Sequence, residues 1–162
     1  MSTWTHVIGS MSLDSIASLS NGTNPSSLIE SLTGEWENPW FNTFDFWDNP
    51  LEHQGIYGKD YPKMPQGSEG PLMYEARNLG AKNSLNNCVV TFFGNLRDFD
   101  NDKIKNELIP YFNTLLDRYT KAAIHIRGMS ISIDCGDTHL ILNCIYNNLA
   151  MPVLKTTQLI LP

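Results

Sequence analysis

Arg77 and Arg97 are the side chains with the clearest chemical potential, because a guanidinium grips phosphate through two parallel hydrogen bonds. Arg97 sits in Gly94-Asn95-Leu96-Arg97-Asp98-Phe99-Asp100, which reads as a polar loop after a strand. Arg77 ends the strand before it. Ser68 lies in Gly67-Ser68-Glu69-Gly70, where the two glycines allow either amides turned toward an anion or a plain turn, and the plain turn is the preferred reading. Trp40 and Trp47 offer faces on which a base could stack. The candidate ligand contacts are therefore Arg77, Arg97, Asn95, Ser68, Trp40 and Trp47. Against this stands a simpler reading, in which Arg77 pairs with Glu75 and Arg97 with Asp98 in weak surface ion pairs.

The usual catalytic sets do not assemble. His6, His53, His125 and His139 stand in no metal-ligand spacing, and there is no Cys-x-x-Cys. Cys135 and His139 flank a predicted hairpin turn and are the nearest approach to a nucleophile and base. Paired His-x-Ser/Thr strands, as in twin-histidine phosphoesterases, are absent: the stretches are His6-Val7-Ile8, His125-Ile126-Arg127 and His139-Leu140-Ile141. Neither a phosphate-binding Gly-x-x-x-x-Gly-Lys nor a dinucleotide glycine fingerprint is present. The acids Asp98, Asp100 and Asp102 fit the start of a helix better than a divalent metal. No metal, cofactor or catalytic residue is assigned, and binding is favoured over catalysis.

Charge is unevenly spread. The chain of 162 residues has a net charge of −6, and residues 1–58 hold seven acids with no Lys or Arg. All four arginines, Arg77, Arg97, Arg118 and Arg127, lie beyond that stretch. Duplex nucleic acid is a poor partner for such a surface, because non-specific affinity comes from a basic face. No apolar run approaches the roughly 18 residues of a membrane span. The opening Met-Ser-Thr-Trp-Thr-His lacks a secretory pattern, so a cytoplasmic protein is the default expectation. Three cysteines, Cys88, Cys135 and Cys144, read as small buried hydrophobes rather than a disulfide framework.

One domain is expected over residues 1–162. Residues 5–13 alternate as a half-buried strand, with Val7, Met11 and Leu13 on one face. Asn24 and Pro25 suit the start of a short helix with Leu28, Ile29 and Leu32 inward and Gly34 as its stop. Residues 35–70 form an irregular insertion rich in aromatics: Trp36, Trp40, Phe41, Phe44, Phe46, Trp47, Tyr57 and Tyr61, broken by four prolines. A strand with Leu72, Tyr74 and Ala76 inward and the strand Cys88-Val89-Val90-Thr91-Phe92-Phe93 come next. A helix then carries Ile104, Leu108, Phe112, Leu115, Leu116 and Tyr119, with a kink or restart near Ile109 caused by Pro110. Two further strands follow, with a bulge expected at Gly128, where the apolar parity switches, and a turn at Cys135-Gly136-Asp137. The tail from Leu149 is a docked apolar segment. This order predicts an α+β fold, a ferredoxin-like split βαβ sandwich with an extra C-terminal strand and the long insertion.

Gly67-Ser68-Glu69-Gly70, Phe93-Gly94-Asn95-Leu96-Arg97-Asp98 and the opening Trp4-Thr5-His6-Val7 together resemble small accessory proteins of tailed bacteriophages. The resemblance covers about half the chain and leaves the aromatic insertion unmatched. It implies a protein made inside the host cell, with counter-defence as its setting. Two expectations follow. The first is a non-catalytic protein that sequesters a small anionic ligand such as a signalling nucleotide, cyclic forms included. The second is an inhibitor that occludes a host protein through the acidic aromatic surface around Glu35, Glu37, Asp45 and Asp48. An exposed strand edge or the apolar tail offers a homodimer contact.

Overall fold

β1 (Trp4–Ser15) is the strand on which the fold is built. Its alternation buries Val7, Met11 and Leu13 and leaves Trp4, His6, Ile8 and Ser10 exposed. It pairs antiparallel with β5 (Cys88–Arg97) on one side and β6 (Ile124–Cys135) on the other. The computed structural model describes residues 2–15, 25–34, 64–79, 85 and 87–160. Most of the aromatic insertion, including Trp40, Trp47 and the acids from Glu35 to Glu52, lies outside the described residues.

The described chain is an α+β structure. After β1 come α1 (Pro25–Thr33), a small hairpin of β2 (Gln66–Gly67) and β3 (Gly70–Pro71), β4 (Met73–Asn78) and β5. A helical stretch follows as α2 (Asn101–Lys103), a π-helical turn (Ile104–Leu108) and α3 (Ile109–Lys121). The chain then returns through β6, β7 (Thr138–Tyr146) and β8 (Pro152–Leu159). One antiparallel sheet has the order β4-β5-β1-β6-β7-β8. Its buried side chains, among them Val90, Phe92, Leu96, Ile131, Ile133 and Leu142, point to one face, where the helices pack. The other face is open among the described residues.

Local sequence explains most of the detail. Asp100 caps the helix, its carboxylate accepting from the Lys103 amide at 3.0 Å. Pro110 has no amide proton to give the preceding turn, so the backbone widens into the π turn and restarts as α3 with the proline in its first turn. The parity switch near Gly128 is a β-bulge: Ser12 faces Gly128 and Leu13 faces Ile126, leaving Arg127 as the extra residue. The last carbonyls of α1, which have no partner within the helix, are met by tyrosines. Tyr111 donates to the Thr33 carbonyl at 2.7 Å and Tyr74 to that of Gly34 at 2.9 Å.

Two expectations are corrected. The polar loop expected over residues 94–100 is strand as far as Arg97, because Trp4, Thr5, His6 and Val7 of β1 continue the ladder along it. Polar residues there belong to the open face of a sheet rather than to a loop. The tail is also more regular than a docked segment: residues 152–159 form β8, paired along β7 from Tyr146 to His139. Two strands, not one, follow β6.

Cys88 and Cys135 are buried and Cys144 is half-buried, all three as free thiols. Burial pushes the Cys88 thiol from its ordinary 9.0 up to about 11. An acid whose folded value is raised stabilises the fold fully below its unfolded value, and that contribution disappears as pH rises through the folded one. The urea midpoint is therefore expected to fall between about pH 9 and pH 11 in the parent chain. Cys88→Ala should flatten that part of the profile, and an equal fall in the variant would remove Cys88 as its source.

Candidate functional site

Three of the candidate contacts meet at one end of the open face. β4 pairs with β5 only from Asn78 to Met73, which faces Phe93. Beyond Phe93 the β5 edge is covered by the β2–β3 hairpin, whose Ser68 amide donates to the Arg97 carbonyl at 2.8 Å. Gly67 makes this contact possible, since a Cβ there would lie 2.6 Å from both the nitrogen and the oxygen of Arg97. The hairpin is the plain turn, and the Ser68 amide is already engaged by protein. The Ser68 hydroxyl donates to Asp98 at 2.5 Å.

Arg97 is held by several groups. Its guanidinium pairs with Glu69, donates to the Ser2 hydroxyl at 3.1 and 3.0 Å and lies 6.0 Å from the centroid of the Trp4 ring. Asp98 is 4.0 Å away. Arg77 does not join it. Arg77 faces Val89 at the opposite end of β5 and pairs with Glu75 at 2.8 Å. Eight residue steps separate Val89 from Arg97, roughly 27 Å at the usual rise. A clamp of both arginines on one phosphate is therefore overturned by the strand register, and the simpler reading of an Arg77–Glu75 pair is what the side chains adopt.

Beside Arg97 lies a row of polar side chains that the sequence does not announce. Asn95 on β5 faces His6 on β1; His6 faces Asp134 on β6; Asp134 faces His139 on β7. The His6 Nδ1 is 2.6 Å from the Asn95 side-chain oxygen, and the His139 Nδ1 is 2.5 Å from Asp134. Each imidazole is thus fixed through Nδ1, which directs its Nε2 as the atom presented to a ligand. Alternation places His6 on the face opposite Val7, but the registers that line up four strands cannot be read from the sequence.

Next to this row is a groove of about 560 Å³ lined by His6, Ile8, Pro71, Met73, Phe93 and Asn95. Ile8 and Phe93 face each other across β1 and β5 and stay exposed at 64% and 39%. The groove thus combines an apolar floor, one ring face, an amide and an imidazole, and Arg97 lies two residues beyond Asn95 on the same face of β5. That mixture suits a flat polar heterocycle better than a fully apolar ligand.

The nucleophile reading of Cys135 and His139 is overturned. Cys135 faces the core, 3.7 Å from the Phe99 carbonyl, whereas His139 lies on the open face. The two residues are on opposite sides of the sheet because they sit at positions of opposite parity in the hairpin. No group of three His, Cys, Asp or Glu among the described residues could hold a metal ion. No helix among them is long and apolar enough to cross a membrane. The chain matches no family model, no curated protein and no solved structure.

Proposed function

We propose that the protein is a non-catalytic binder of a small anionic ligand, most simply a nucleotide, held in the groove over β5 and β1. The base lies against Phe93 with Ile8 and Met73 around it. Asn95 and His6 read its polar edge, and Arg97 takes a phosphate. The observation that carries this reading is the convergence of Asn95 and His6 beside the exposed Phe93 ring in one groove, with Arg97 two residues beyond Asn95 on the same face of β5. The pairing of Arg97 with Glu69 is no obstacle. Both side chains are more than a third exposed, and such pairs contribute only about 0.2–1 kcal/mol, less than a two-pronged contact to phosphate.

The sandwich carrying this face is read as ferredoxin-like. The spatial order β4-β5-β1-β6 and its antiparallel alternation support that reading, with β7 and β8 added beyond. The resemblance to accessory proteins of tailed bacteriophages gives the proposed setting, sequestration of a signalling nucleotide within the host cytoplasm as counter-defence.

Thermal unfolding against a panel of cyclic and linear nucleotides tests the proposal. A bound nucleotide at a hundredfold excess over its Kd should stabilise the fold by about 2.7 kcal/mol, without being consumed. Arg97→Ala should weaken that ligand roughly tenfold to a hundredfold, the worth of a hydrogen bond to a charged group. Phe93→Ala should lose a comparable ~1–3 kcal/mol of stacking. Arg77→Ala should bind as the parent does. Equal loss in the Arg77 and Arg97 variants would move the site off the groove, and a panel without any shift would end the nucleotide reading.

A further inference from the structure

The two edges of the sheet differ. β4 is short and presents Glu75 and Arg77, charges of the kind that keep a strand edge from pairing with another chain. β8 has eight residues with one charge, Lys155, and its neighbourhood is apolar. Seven of the eleven large hydrophobic side chains left exposed among the described residues fall within 145–160. They include Ile145, Leu149, Val153, Leu159 and Ile160, the last at 92% exposure. So dense a cluster on an edge that no described strand covers marks an interaction surface.

We propose that β8 pairs antiparallel with β8 of a second copy of this chain, across a two-fold axis at Thr156, joining two sheets into one. The sequence of β8 is self-complementary in that register. Thr156 meets its own copy, Lys155 meets Thr157, Leu154 meets Gln158 and Val153 meets Leu159. Val153 and Leu159 both lie on the open face, and Ile145 adjoins Val153 from β7, so an apolar strip runs unbroken across the junction. The two Lys155 side chains are diagonal rather than opposed, whereas an in-register parallel pairing would stack them face to face. A two-fold contact of one surface with itself also closes at two copies and leaves no further edge of this kind exposed. Two strands, β6 and β7, separate β8 from the groove on β5 and β1, so pairing at β8 leaves it open.

Sedimentation of the full chain at micromolar concentration should give about twice the 18.3 kDa monomer mass. Thr156→Cys should yield a disulfide-linked dimer on mild oxidation, while the parent, whose thiols are buried or half-buried, stays unlinked. Leu159→Lys should sediment as a folded monomer, with the parent's circular dichroism, because Leu159 is an edge residue outside the core. A parent that sediments as a monomer at every concentration overturns the proposal. So does a dimer that survives Leu159→Lys or leaves Thr156→Cys unlinked, since its contact would lie elsewhere. Nucleotide binding retained by the Leu159→Lys monomer would separate this surface from the groove.

Discussion

Gly9→Ala is expected to lose a large fraction of the stability of the fold. Gly9 stands in the middle of β1, opposite Phe92 of β5 and Ile131 of β6. A Cβ added there would run into the carbonyl oxygen of Ser130 and the Cα of Ile131. Both are backbone atoms of the neighbouring strand, so no side-chain rotation relieves the clash. β6 would have to move away from β1, stretching the ladder that joins the two halves of the sheet. Overpacking typically costs about 1–3 kcal/mol and sometimes more, and here the upper end is expected because only backbone can give way. A domain with about 5–15 kcal/mol in total would lose a large fraction of it. Gly128→Ala is the internal control: a Cβ there meets nothing within 4 Å, so its urea midpoint should stay close to the parent's. Two variants with equal midpoints would mean that β1 and β6 do not approach as closely as described.

The same closeness of strands shows what a sequence can and cannot disclose. The alternation of Val7, Met11 and Leu13 reveals β1, because burial on one face writes a period of two into the chain. Pro110 signals the helix restart, since a missing amide proton is a local fact. The bulge at Arg127 is legible in the parity change around Gly128 for the same reason. Gly94, Asn95 and Arg97 are misread as loop because polar side chains on an open sheet face resemble those of a turn. Register carries no local signal at all. Arg77 and Arg97 look like partners in the chain, yet pairing with Val89 sends one to the far end of β5. Conversely Asn95, His6 and the Asp134–His139 pair, far from one another in sequence, align because β5, β1 and β6 happen to match there. The candidate site is therefore legible as a set of useful side chains and illegible as an arrangement. Trp40 and Trp47, expected to cover a base, fall outside the described residues.

Phe112→Ala is expected to destabilise the chain by about 3–5 kcal/mol, the usual loss for a buried phenyl ring. Phe112 is fully buried on α3 and meets the β5 ring of Phe92 edge-on, centroids 5.2 Å apart and planes at 78°. Tyr111 adds a second edge contact at 5.1 Å, beside the hydroxyl that closes the end of α1. This cluster is where the helical layer is fastened to the sheet. In a double-mutant cycle with Phe92→Ala, the double variant should cost about 0.5–1.5 kcal/mol less than the sum of the two single losses, the contribution of the ring geometry itself. Coupling near zero would mean that the rings do not touch, and hence that the π turn sets α3 at another rotation about its axis. Phe93, the next residue, points the other way into the groove. Loss of the Phe112 ring should therefore lower the melting temperature while the folded fraction keeps its ligand affinity, whereas Phe93→Ala should do the reverse. The helix ring and the strand ring would thus report separately on the layer that holds the fold and the face that binds.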